Sequence, residues 1–169
     1  MTKTILTYVF SFVFLVVLQV VVLKDMALLG YATPFLYIWF ILRLPSLMPT
    51  NTVMTISFIM GLMIDIFCNT PGMNALAATT LAFVRKPLIN VILPHTDEAV
   101  SVIPSSRSFG FGYFISYVAC SVSVFCFVLF TIEAFQFFNP LKLLIRMLSS
   151  AAFTFLLIWA IDSLNPKKK

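Results

Sequence analysis

At 169 residues, 61% hydrophobic and 10% charged, with a mean hydropathy of +1.05, this chain cannot fold as a soluble globule. Soluble domains carry about 25% charged residues, and a core of this size cannot hide so much apolar surface. The hydrophobic runs must face lipid. The net charge of +5 does not point to nucleic acid, because Lys and Arg stand at the ends of apolar runs, where they act as topology signals.

A spanning helix takes about 20 apolar residues, which predicts one all-α, polytopic membrane domain over residues 1–169, with six transmembrane helices and no extramembrane domain. The first span, 5–23, follows Lys3. It is too long for a signal-peptide core and leads into Lys24-Asp25 without a small-residue cleavage pattern, so it reads as an uncleaved anchor. The second, 27–44, is interrupted by Gly30 and Pro34 and carries Tyr31, Tyr37 and Trp39. Its helix is expected to start near Pro34 and to be short or tilted, with Arg43, Pro45 and Pro49 ending it. The third, 52–68, closes at Asn69-Thr-Pro71-Gly72, strong punctuation. The fourth, 73–93, contains Arg85-Lys86-Pro87, after which residues 88–93 end the helix or lie along the interface. Residues 94–108 form the one long polar loop. The fifth span, 111–135, is flanked by Gly110 and Gly112 and leads through an Asn139-Pro140 turn into the sixth, 141–161, and a Lys167-Lys168-Lys169 tail.

Six spans with the N-terminus inside put Lys3, Arg43, Arg85, Lys86, Arg107 and the three tail lysines on the cytoplasmic side, eight in all, against Lys24 and Lys142 outside. The Lys/Arg bias therefore predicts that both termini are cytoplasmic.

This orientation brings four charges into one outer-leaflet slice: Asp65 near the end of the third span, Glu133 near the end of the fifth, and Lys142 and Arg146 one turn apart on the sixth. An unpaired charge at membrane depth costs about 2.5–3.5 kcal/mol on insertion scales. Mutual pairing is the expected solution: Asp65 or Glu133 pairs with Arg146 and locks helices three, five and six together. The competing readings of Asp65 are a transport or proton-relay group and a snorkelling residue without a partner. Asp162, near the inner end of the sixth span, is expected to be solvated or close to Arg85 or Lys86.

Motifs for chemistry are missing. His95 stands alone in a loop, which argues against a metal site. Cys68, Cys120 and Cys126 form no C-x-x-C pattern and read as small buried hydrophobes. No nucleophile elbow, P-loop or dinucleotide fingerprint occurs. Gly110-Phe-Gly112 reads as a hinge where a helix begins, and the Ser and Thr residues within spans as close-packing positions. No catalytic, cofactor-binding or metal residue is expected, and the chain does not read as an enzyme.

Gly61-x-x-x-Asp65 followed by Asn69-Thr-Pro71-Gly72-Met-Asn74-Ala75 resembles the third-to-fourth helix signature of the rod shape-determining protein MreD family, as found in Bacteroides-like bacteria. Leu81-Ala-Phe83 running into Arg85, Ile103-Pro-Ser-Ser-Arg107-Ser-Phe-Gly110, and Phe130-Thr-Ile-Glu133-Ala-Phe135 extend the likeness over most of the chain. The chain departs from the family where relatives carry histidine, near Phe125 and Cys126, and in its Pro-broken second run. The resemblance implies a scaffold in the bacterial inner membrane that serves cell elongation, cell shape and lateral peptidoglycan synthesis. Its implied partners are membrane lipid, MreC, MreB and the RodA glycosyltransferase with its transpeptidase. The turn at 69–74 and the loop at 94–108 are the candidate contacts. The family's fold is similar to the substrate-binding S components of energy-coupling-factor vitamin transporters, which makes a small-molecule binding or transport subunit the alternative.

Overall fold

The computed structural model describes residues 2–23, 33–92, 103–106, 108–134 and 140–164, without the side chains of residues 2–5, 140, 142 and 164. Lys24, His95, Arg107, most of the 94–108 loop, residues 27–32 of the second run and the lysine tail lie outside the described residues.

The elements are α1 (Thr2–Leu18) continuing into a π-helical turn (Gln19–Leu23), α2 (Ile38–Leu42), α3 (Thr50–Cys68), α4 (Met73–Ile92), α5 (Phe111–Ala134) and α6 (Pro140–Leu164). Among the described residues, five helices are long and apolar enough to cross a membrane: α1 with its π turn, α3, α4, α5 and α6. The protein is an all-α polytopic membrane protein. Local chemistry sets the boundaries. α3 starts after Pro49, in extended conformation, and stops at Asn69, whose φ of 55° is left-handed. α5 starts after Gly110 at φ 84°, and α4 runs through the Arg85-Lys86-Pro87 sequence to Ile92 with Pro87 inside it.

The long helices pack in the order α1, α3, α4, α5, α6. α4 lies between α3 and α5 and buries Ala75, Ala77, Ala78 and Ala82. Small side chains let its neighbours approach closely, which is how helices associate where lipid supplies no hydrophobic drive. Outward faces carry large apolar residues such as Phe10 and Phe14 on α1, Ile66 and Phe67 on α3, Phe127 on α5 and Leu148 on α6. These are the lipid-facing surfaces.

The helix of the second apolar run is short, as Pro34 predicts, and over its described part it is too short to be the sixth spanning helix. Residues 33–35 are not helical, 36–37 make a turn, and α2 is five residues long. Yet Tyr37, Ile38 and Ile41 are fully buried. Pro34 cannot donate a helical hydrogen bond and disfavours helix in the residue before it. Irregular backbone is tolerated at membrane depth only where protein surrounds it and satisfies its polar groups.

That satisfaction is supplied by side chains from distant elements. Gln19 donates from Nε2 to the Pro34 carbonyl at 2.8 Å and accepts the Leu36 N–H on Oε1 at 3.0 Å. The Thr33 N–H donates to Ser150 Oγ and the Phe35 N–H to Thr154 Oγ1, both at 3.0 Å. At the other end, Arg85 donates from Nη2 to the Leu44 carbonyl, and the Tyr117 hydroxyl points to the Leu42 carbonyl at 3.5 Å. The rings of Phe35 and Tyr37 pack on Phe125, with centroids 5.3 and 5.7 Å away. Phe125 is itself fully buried.

Candidate functional site

The turn between α3 and α4 is organised around Asp65. The side chain is 4% exposed and sits one turn before the end of α3, where it points at the first turn of α4. Oδ1 accepts from the Thr70 hydroxyl at 2.7 Å, the Asn74 N–H at 3.0 Å and Asn74 Nδ2 at 2.9 Å. Oδ2 accepts the Ala75 N–H at 2.8 Å. Four donors thus converge on the carboxylate, three on Oδ1 and one on Oδ2. The first N–H groups of a helix have no partner within it, and the helix dipole favours an anion there. Asp65 is the cap of α4, supplied from the preceding helix.

The remaining motif residues complete the clasp. The Asn69 and Thr70 N–H groups both return to the Asp65 carbonyl, closing the end of α3. Gly72 adopts φ 76°, a left-handed value that a side chain makes unfavourable, and Pro71 precedes it in the turn. Asn74 gives its amide to Asp65 and to Thr70 Oγ1, and its Oδ1 accepts the Tyr37 hydroxyl at 3.0 Å. The clasp is thereby tied to the broken segment in the middle of the bundle. Gly61 explains the spacing: a Cβ there would stand 2.6 Å from Ala75 Cα and 2.7 Å from the Asn74 carbonyl oxygen. Only hydrogen fits between the two backbones.

Of the two partners expected for Arg146, Glu133 takes it, Nη1 to Oε1 at 2.5 Å, tying α6 to α5; Asp65 does not, so helix three is outside the pair. The Arg146 guanidinium also lies over the Phe130 ring, 5.8 Å from the centroid. The Lys142 side chain lies outside the description. The physical reason is that Asp65 has a cheaper partner than a guanidinium: backbone N–H groups nine and ten residues away.

Glu133 and Arg146 line a cavity of about 290 Å³ between the end of α1, the α3–α4 turn, the end of α5 and the start of α6. Glu133 is 12% exposed and Arg146 33%. Most of the wall is apolar and includes Phe35, Ile64, Met73 and Leu129.

At the opposite end, two charges differ from expectation. Arg85, assigned a topological role, is buried and bonded to the Leu44 carbonyl and the Tyr117 hydroxyl, the latter from Nε at 3.2 Å. Asp162 is also buried and accepts the Ser106 N–H at 3.3 Å. It forms no ion pair with Arg85 or Lys86. Of the three cysteines expected to be buried, only Cys126 is; Cys68 is half-buried and Cys120 exposed, and no cluster of His, Cys, Asp or Glu able to hold a metal lies among the described residues. Several span Ser and Thr residues satisfy themselves locally: Thr55, Thr79 and Thr80 each donate to the carbonyl four residues back.

No protein-family model, curated protein or solved structure matches the chain. Sequence reasoning passed over Gln19, Tyr117 and Thr154, and noted Tyr37 only as an aromatic of the second run, whereas it is fully buried. Gln19 did leave a signal, being the sole amide in the first span. Ser150 and Thr154, four apart on α6, also mark one polar stripe.

Proposed function

We propose that the chain is a non-enzymatic scaffold of the MreD type, resident in the bacterial inner membrane and serving cell elongation and lateral wall synthesis. The observation that carries this reading is the stretch from Gly61 to Ala75, on which the resemblance is most specific. Most residues quoted for it serve one clasp: Gly61 lets the backbones touch, Asp65 caps by accepting from Thr70, Asn74 and Ala75, Asn69, Pro71 and Gly72 turn the chain, and Asn74 ties the turn to Tyr37. A signature that fixes helix geometry and leaves no group free for chemistry suits a protein whose product is a shaped surface. The turn at 69–74, where Asn69, Pro71 and Gly72 are exposed, is a candidate surface for MreC, with MreB and the RodA–transpeptidase pair as further partners.

The second reading, a small-molecule binding or transport subunit, is favoured by the broken segment 33–44 beside a cavity, since interrupted helices mark substrate sites in many transporters. Weighing against it, the backbone groups that a substrate would use are held by Gln19, Ser150, Thr154 and Arg85.

Depletion in the host cell, with imaging and affinity capture, separates the two. The scaffold reading expects rods to become round or swollen and MreC to co-purify. Normal rods after depletion, with growth restored by a single nutrient, would replace it with the transport reading.

A further inference from the structure

We propose that the cavity at the α3–α4 turn end binds an aminophospholipid, with the phosphate on Arg146, the ammonium on Glu133 and part of an acyl chain among Phe35, Leu129 and Phe130. The inference does not rest on the cell-elongation reading.

The volume is the first constraint. About 290 Å³ gives room for about ten water-sized groups at about 30 Å³ each. Away from the Glu133–Arg146 pair, water would be poorly held. A buried water needs two to four polar partners, and the other polar wall groups are engaged: Gln19 with the Pro34 carbonyl and Leu36 N–H, Thr33 with Ser150, Thr70 and Asn74 with Asp65. The apolar walls suit a short hydrocarbon segment.

The charge pattern is the second. The Glu133–Arg146 contact uses one guanidinium nitrogen and one carboxylate oxygen. Among the described residues, no other partner takes the remaining guanidinium N–H groups or Glu133 Oε2, and a guanidinium has five N–H groups to give. A site that presents donors and an acceptor side by side is complementary to a head group carrying both signs. A purely anionic head would be repelled by Glu133 and a purely cationic one by Arg146. Guanidinium and phosphate match in geometry, and a primary ammonium has three N–H donors for the carboxylate. The partial exposure of Arg146 leaves the head an approach from outside.

The test is native mass spectrometry of the full chain released from nanodiscs containing equal phosphatidylethanolamine and phosphatidylglycerol, with phosphatidylcholine in a parallel set. One phosphatidylethanolamine should be retained per chain, at least tenfold in excess over phosphatidylglycerol, with phosphatidylcholine weaker because its ammonium has no N–H. Leu129→Trp, which fills the cavity, should abolish retention. Glu133→Gln, which keeps the shape and removes the charge, should collapse the preference for phosphatidylethanolamine to about parity. Equal retention of the two lipids by the unaltered protein would overturn the proposal. So would unchanged selectivity in Glu133→Gln, whether or not Leu129→Trp folds. Displacement of the lipid by free leucine at millimolar concentration would also overturn it, in favour of an amino-acid site.

Discussion

Asp65 and Glu133 are both acids near the same end of the bundle, and they are neutralised in opposite ways. Asp65 is enclosed, with four donors from the α3–α4 turn on its two oxygens. Glu133 meets one guanidinium at the edge of a cavity and keeps an oxygen free of partners among the described residues. The first acid is spent on architecture; the second retains capacity for a ligand. Charge at membrane depth is thus no single signal, because a helix terminus can satisfy it as fully as an opposite charge can.

Arg85 extends the first pattern to the other sign. It is buried at the end of the broken segment and donates to the Leu44 carbonyl. A cation at the C-terminal end of a short helix and an anion at the N-terminus of a long one both complement the backbone dipole. Neither charge needs the other.

The contrast between the two acids predicts a graded set of effects. Asp65→Ala should be the most damaging, costing about 3 kcal/mol or more, since it removes charge-assisted bonds worth about 1.5–3 kcal/mol each and strands buried N–H donors. Unfolding by steric trapping in bicelles would measure it, and a loss under 1 kcal/mol would place Asp65 with Glu133 instead. Gly61→Ala comes next, at about 1–3 kcal/mol of overpacking, because its Cβ would meet the backbone of Ala75. Cysteine crosslinking between α3 and α4 should report the helices forced apart. Gln19→Leu should cost about 2 kcal/mol by leaving the Pro34 carbonyl and Leu36 N–H unpaired, and hydrogen exchange at residues 33–37 should accelerate. The smallest effect belongs to the partly exposed pair: Arg146→Gln should cost about 1 kcal/mol or less, and exchanging the two charges between Glu133 and Arg146 should recover part of it. Reporter fusions at residues 70 and 100 test the orientation assumed throughout, with opposite sides required and 70 outside.

Much of the fold was legible because lipid imposes one rule on every span. The runs at 5–23, 52–68, 73–93, 111–135 and 141–161 correspond to helices Leu6–Leu23, Thr50–Cys68, Met73–Ile92, Phe111–Ala134 and Leu143–Ser163 of spanning length. The second run broke the rule for a reason no local pattern displays. Its backbone is satisfied by Gln19 from 15 and 17 residues away and by Ser150 and Thr154 from 117 and 119 residues away. Pro34 announced the break but not what would heal it. The Asp65 clasp was within reach, since all its partners lie within ten residues. It was misassigned because a buried acid was matched to cations, whereas a helix start one turn further along is an equally good partner.

The central claim is that Asp65 acts as the cap of α4 and not as an ion-pair or relay group. A double-mutant cycle tests it most directly, with Asp65→Ala combined in turn with Asn74→Ala and with Arg146→Gln, and stability measured in bicelles for each. The account predicts a coupling of about 1 kcal/mol or more between Asp65 and Asn74, in the range of groups sharing one hydrogen-bond network, and a coupling indistinguishable from zero between Asp65 and Arg146. Strong coupling to Arg146, with none to Asn74, would contradict it.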